Sequence, residues 1–141
     1  MIILSEAKDL YSIDLVLRHP SLSPESISRA LSLELKGLWT AADAFNKPHP
    51  KRMLISVTLQ AGDDPAEFEN ALTNVSQFLH SHTAYWADFR SSGGEIDLIL
   101  NHTISAAKVV GDKCFELHLA PGLLGQLAST GITLRVQGWQ S

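Results

Sequence analysis

The sequence predicts an α+β fold: a two-layer sandwich of an antiparallel or mixed sheet with helices on one face, ferredoxin-like or a close variant. Three observations predict it. Several short segments alternate apolar and polar residues with a period of two, as strands with one buried face do. Other segments carry helix-start signals followed by apolar stripes at helical spacing. The two kinds alternate along the chain as β-α-(β)-β-α-β-β-α-β, an order that separates helices and sheet into layers.

The first strand runs from Ser12 to His19. Ile13, Leu15 and Leu17 fall on one face, Asp14 and Arg18 on the other, and Pro20 stops it. Ser23-Pro24-Glu25 starts a helix, with serine as cap, proline at the first helical position and an acid at the positive end. Ile27, Ala30 and Leu31 give its stripe, and it ends near Leu33. Leu35 to Thr40 reads as a short strand, and Asn46 to Lys51 is a loop because two prolines deny regular hydrogen bonding. Arg52 to Gln60 is a strand with Ile55, Val57 and Leu59 opposed to Ser56, Thr58 and Gln60.

Asp64-Pro65-Ala66-Glu67 then opens a helix, with Asp64 as cap. Phe68, Leu72, Val75, Leu79, His82, Trp86 and Phe89 recur at alternating spacings of four and three, one face of a single long helix to about Arg90. Such a helix spans ~40 Å at about 1.5 Å per residue, and Gly93-Gly94 ends it. Glu95 to Asn101 is a strand with Ile96, Leu98 and Leu100 opposed to Asp97 and Asn101. A Gly111-Asp112 turn leads to a strand from Cys114 to Leu119, and Pro121 starts a short helix that Gly131 terminates. The last strand, Ile132 to Gly138, turns Ile132, Leu134 and Val136 inward and Thr133, Arg135 and Gln137 outward.

One internal echo stands out. Ser12 to Pro20 matches Glu95 to Thr103 at Ile13/Ile96, Asp14/Asp97, Leu15/Leu98, Leu17/Leu100 and His19/His102. Both a duplicated strand and simple convergence of alternating patterns produce such a match. Were the two strands neighbours, His19 and His102 would approach each other. A metal site there needs a third ligand, for which His49 offers itself; solvated strand-end histidines are the simpler reading.

Length and composition bound the function. The 141 residues make one domain, and 45% hydrophobic with 18% charged residues is a folded composition. A net charge of -4 argues against a general binder of the phosphate backbone. The single cysteine, Cys114, excludes an internal disulfide and reads as a small half-buried residue. The opening Met1-Ile2-Ile3-Leu4-Ser5-Glu6 lacks the basic and long apolar regions of a signal peptide, and no apolar run reaches the ~20 residues that span a bilayer. A cytoplasmic location is expected by default, with no membrane contact.

Three stretches resemble a bacterial family, domain-of-unknown-function family number 4279. They are Ile13-Asp14-Leu15 with the helix from Leu22 to Leu33, the long helix followed by Gly93-Gly94-Glu95-Ile96-Asp97-Leu98, and Phe115 to Leu134 as strand, leucine-rich helix and strand. The resemblance covers nearly the whole chain. It implies the same fold and a bacterial source, and it carries no catalytic residues.

The sequence holds no Gly-rich phosphate loop, no Gly-x-Ser-x-Gly and no His-Glu-x-x-His. His80 and His82 stand about 200° apart on a helix and cannot share a metal. No cofactor, metal or catalytic residue is implied. The informative set is the sheet's second face. By alternation it carries Asp14, Arg18, Ser56, Thr58, Asp97, Asn101, Glu116, His118, Thr133, Arg135 and Gln137. Such groups form cross-strand pairs on a solvated face, or a recognition surface. Trp39 and Trp139 lie outside the core pattern, and tryptophan is enriched at interaction hot spots.

The candidate binding residues are therefore Asp14, Arg18, Trp39, Asp97, His118 and Arg135. The leading expectation is a small non-enzymatic domain that binds a protein partner. A basic surface such as a toxin's nucleic-acid-binding site would suit its acidic balance, an immunity-like role. A small-molecule site or minor enzyme built from Asp14, Asp97, His118 and Arg135 is the alternative. Self-association through an exposed edge strand is the third.

Overall fold

The computed structural model describes residues 10–33, 38–40, 53–104 and 118–140. In chain order the elements are β1 (Leu10–His19), α1 (Pro24–Leu31), β2 (Leu38–Thr40) and β3 (Met53–Gly62). A 3-10 turn, Pro65–Glu67, leads into α2 (Phe68–Ser81). Then follow α3 (Thr83–Ser91), β4 (Glu95–Ile104), α4 (Pro121–Thr130) and β5 (Thr133–Gln140).

The described strands form one five-stranded sheet in the order β2-β3-β1-β4-β5. β1 pairs antiparallel with both β3 and β4, β2 antiparallel with β3, and β5 parallel with β4. The first four strands thus have the order and directions of a ferredoxin-like βαββαβ sheet. α4 and β5 extend it by one parallel strand beyond β4.

The α+β sandwich follows from where the apolar residues point. Ile13, Leu15 and Leu17 of β1, Ile55 and Val57 of β3, and Ile96, Leu98 and Leu100 of β4 share one face of the sheet and are buried. Ile27 and Leu31 of α1, Leu72, Val75 and Leu79 of α2, Trp86 and Phe89 of α3, and Leu123 and Leu127 of α4 close over them. The helix ends follow the sequence signals. Ser23 Oγ accepts the Ser26 N–H at 3.2 Å, with Pro24 next. Asp64 Oδ1 accepts the Ala66 N–H at 3.0 Å, so this cap serves the 3-10 turn that precedes α2. Gly131 ends α4 in the left-handed region at φ 68°. Such a φ strains any residue with a Cβ.

Four expectations are corrected. The single long helix is two, broken at His82, whose φ of -118° leaves the helical range. Three consecutive polar side chains satisfy carbonyls around the break. Ser81 Oγ donates to Phe78 O at 2.8 Å, His82 Nδ1 lies 2.9 Å from the same oxygen, and Thr83 Oγ1 donates to His80 O at 2.8 Å. The buried Trp86 indole donates to Leu79 O at 2.9 Å, a carbonyl that an unbroken helix would pair with the Thr83 N–H.

β3 does not alternate cleanly. Ile13 pairs with Gln60 but Asp14 pairs with Thr58, so Leu59 is an extra residue in a β-bulge. The bulge reverses the phase, so Gln60 and Gly62 share the face of their partners Ile13 and Tyr11. Gly62 suits this position, because the Tyr11 ring lies where its Cβ would be.

The strand-end histidines are buried, His19 to 1% and His102 to 8% exposure. The echoing strands are neighbours, as considered, but antiparallel. His102 pairs with Tyr11 at the far end of β1 from His19, on the order of 25 Å away at about 3.4 Å per residue. The two rings cannot share an ion. Val136, lastly, shares the face of Leu100 yet stays 51% exposed on the outermost described strand. Of the strand expected from Cys114 to Leu119, residues 114–117 lie outside the described ones, and His118 and Leu119 belong to no strand.

His19 ties two turns together. Its Nδ1 accepts the Ser21 and Leu22 N–H groups at 3.1 and 3.0 Å, which fixes the neutral tautomer with Nε2–H donating to Ser92 Oγ at 2.8 Å. Burial holds its pKa below the ordinary value. Above the ordinary imidazole pKa of about 6.5 this contribution to stability is fully present. As pH falls, the unfolded chain protonates first, so stability is lost progressively through the folded value. Urea unfolding of the wild type should therefore show a midpoint that drops between pH 7.5 and pH 5, with a shallower slope in His19→Gln. In Trp86→Phe the Leu79 carbonyl keeps the His82 N–H at 3.2 Å but loses its indole donor, and the fully buried site loses ring volume. A loss of about 1–3 kcal/mol from the two effects together is expected from the same measurement at pH 7.5.

Candidate functional site

With the core on one face, the alternation of β1, β4 and β5 places the predicted polar residues on the other. No described helix packs against that face. Asp14 and Arg18 of β1, Asp97 of β4 and Arg135 of β5 all stand there. Two clusters form.

Around Asp97, two guanidinium groups meet one carboxylate. Arg135 Nη2 lies 3.2 Å and Arg18 Nη1 3.6 Å from Asp97 Oδ2, and Arg18 Nη1 also lies 3.7 Å from Glu95 Oε2. The Asp97 side chain is 9% exposed, against 50% for Arg135 and 51% for Glu95. The carboxylate is thus the covered hub and the arginine and glutamate are its exposed rim. A carboxylate at that depth is tolerable because its charge is matched by two cations.

Around Asp14 the partners are neutral. Thr58 Oγ1 donates to Oδ1 at 2.8 Å, while Ser12 Oγ and Asn101 Nδ2 donate to Oδ2 at 3.1 and 2.6 Å. These bonds cross from β1 to β3 and from β1 to β4, so they also lock the strand register. Between the clusters sit Val16, buried at the centre of the face, and the half-buried Ile99.

The internal echo has a geometric counterpart. Leu15 pairs with Leu98, Asp14 with Ile99, and Val16 with Asp97, so the two strands are related by a local two-fold axis through the leucine pair. The same operation carries the contact of Asp14 with Asn101 onto that of Asp97 with Arg18. One half thus has a neutral donor where the other has a cation.

One predicted residue does not join. His118 lies in the helix layer, lining a groove with Glu69, Leu72 and Thr73 of α2 and Leu123 of α4. The cause is that residues 118–120 form the approach to α4 rather than a strand, so alternation does not apply to them. Trp39 is placed by its backbone, which pairs with Leu54 of β3, and Leu54 pairs with Arg18 of β1, so the three share one row across the sheet. Glu116 lies outside the described residues. Residues the sequence reading passed over are Glu95 and Ser12, which alternation assigns to the same face as Asp97 and Asp14, and the apolar Val16 and Ile99 between them.

Among the described residues no group of three His, Cys, Asp or Glu is placed to hold a metal ion, and no helix is long and apolar enough to cross a membrane. Comparison with family models, curated proteins and solved structures returns no match. The likeness to domain-of-unknown-function family number 4279 therefore rests on the quoted motifs alone.

The depth difference within the charged cluster is measurable. Asp97→Ala leaves Arg18 and Arg135 facing each other over an empty hub, and a loss of about 2–3 kcal/mol is expected. Arg135→Ala removes a half-exposed partner and should cost less than about 1 kcal/mol. Denaturant midpoints of the two variants check the contrast; equal losses would contradict the hub description.

Proposed function

We propose that the protein is a small non-enzymatic binding domain of the cytoplasm, and that the polar sheet face takes up a protein partner with a basic surface. The observation that carries this reading is the engagement of both carboxylates by neighbouring side chains. Asp14 accepts three donors and Asp97 is held by two guanidinium groups. A general base needs a lone pair free to reach a substrate proton; Asp14 Oδ1 and Oδ2 and Asp97 Oδ2 are already engaged by neighbours. Fixed polar groups around the apolar Val16 and Ile99 suit recognition, because little side-chain freedom remains to be lost on binding.

Charge supports the class of partner. Asp14, Glu95 and Asp97 outnumber Arg18 and Arg135 on the face, and the chain as a whole carries -4. Attraction of this kind steers association and weakens with salt. An immunity-like role, covering the basic site of a toxin, is one biological setting that fits.

The test is affinity capture from lysate of the source organism with the tagged wild type and with a Glu95→Lys/Thr133→Lys variant. Both positions are exposed on the face. The expected result is a stoichiometric protein held by the wild type at low salt, released at high salt and not captured by the variant. A protein retained equally by the variant overturns the assignment of the face. A dimer that buries the face overturns the partner reading.

A further inference from the structure

The groove beside His118 lies in the helix layer, away from the sheet face, and stands independently of the reading above. We infer that it is a binding site for a small amine: a molecule with an apolar body and a single ammonium group.

The groove encloses about 470 Å³, within the range of small-molecule sites. Its floor is apolar, made by the buried Leu72 of α2 and Leu123 of α4 with Leu119 beside them. Its α2 wall is a row of polar residues one helical turn apart, Glu69, Thr73, Ser76 and Gln77. Toward α4 the row is anchored, since Ser76 and Gln126 are hydrogen-bonded across the two helices at 3.3 Å. The wall is therefore fixed relative to the floor.

Charge selects the ligand. Among the described residues the lining contains one carboxylate, Glu69, one histidine, His118, and no Lys or Arg. Asp63, Asp64 and Glu67 precede it at the start of α2 and add to the negative potential at that end. An ammonium group at Glu69 gains a charge-assisted hydrogen bond, while the body displaces water from the leucine floor. An anionic ligand would meet the like charge of Glu69. On the α4 side, Gly122 lines the groove and has open space where a Cβ would stand. A larger side chain there occupies the groove without disturbing the fold.

The experiment titrates the ¹⁵N-labelled full chain with phenethylamine, its neutral analogue 2-phenylethanol and its anionic analogue phenylacetate. Saturable binding of the amine is expected, with shifts centred on Leu72, Ser76 and Leu123. The alcohol should bind about tenfold more weakly, as should the amine to Glu69→Gln, a step of about 1.4 kcal/mol. Gly122→Leu should abolish binding while keeping the wild-type spectrum elsewhere. The inference is overturned if the amine causes no shifts or shifts outside the groove. It is equally overturned if phenylacetate binds as well as the amine, or if Gly122→Leu binds like the wild type.

Discussion

The pairing of β1 with β4 is the constraint on which the rest of this structure depends. Leu15 and Leu98 sit directly opposite each other and are fully buried. Because side chains alternate across a strand, fixing that pair fixes every other residue of both strands to a face. Ile13, Leu17, Ile96 and Leu100 then go to the helices, and Asp14, Arg18, Asp97 and Asn101 to the opposite side. A slip of one residue would bury the charges and expose the leucines. The cross-strand bonds of Asp14 and the ion pair of Arg18 with Asp97 hold the same register from the polar side. Core and candidate site are two consequences of one alignment.

Much of this was legible in the residues, and the failures share a cause. Alternation in β1 and β4 has a period of two over a whole strand, so the face of Asp14, Arg18 and Asp97 could be assigned before any topology was known. The break at His82 could not. The apolar stripe continues through it with unchanged spacing, because the seam faces one core on both sides of the kink. The signal that marks it is polar and local: Ser81, His82 and Thr83 in succession, each able to satisfy a backbone group where the ladder stops. The bulge at Leu59 is hidden for a related reason. Leu59 still packs against the core, so hydrophobicity alone does not reveal the change of phase. Gly62, placed under the Tyr11 ring, is its only compositional trace.

The histidines show the limit more sharply. His19 and His102 resemble solvated strand ends because each follows the last apolar residue of its run. Burial of His19 depends on partners far away in sequence: Ser92 after α3, and the Phe89 ring at a centroid distance of 4.9 Å. No periodicity encodes such contacts. His118 fails in the opposite direction. Alternation read across Cys114 to Leu119 assigns it to the sheet, but alternation has meaning only where a strand exists, and His118 already belongs to the approach to α4.

The arrangement around Asp97 is what the proposed recognition role rests on. Covering a carboxylate costs desolvation energy, and two guanidinium groups offset that cost only if they are held close. Their positions are set by strands on either side, Arg18 on β1 and Arg135 on β5, so the hub joins three strands through one charge. What such a hub does well is hold two cationic tips and the neighbouring Glu95 at fixed positions around Val16 and Ile99. A partner would meet that pattern already formed, and the energy of the cross-strand network would be spent on its geometry rather than on its reactivity.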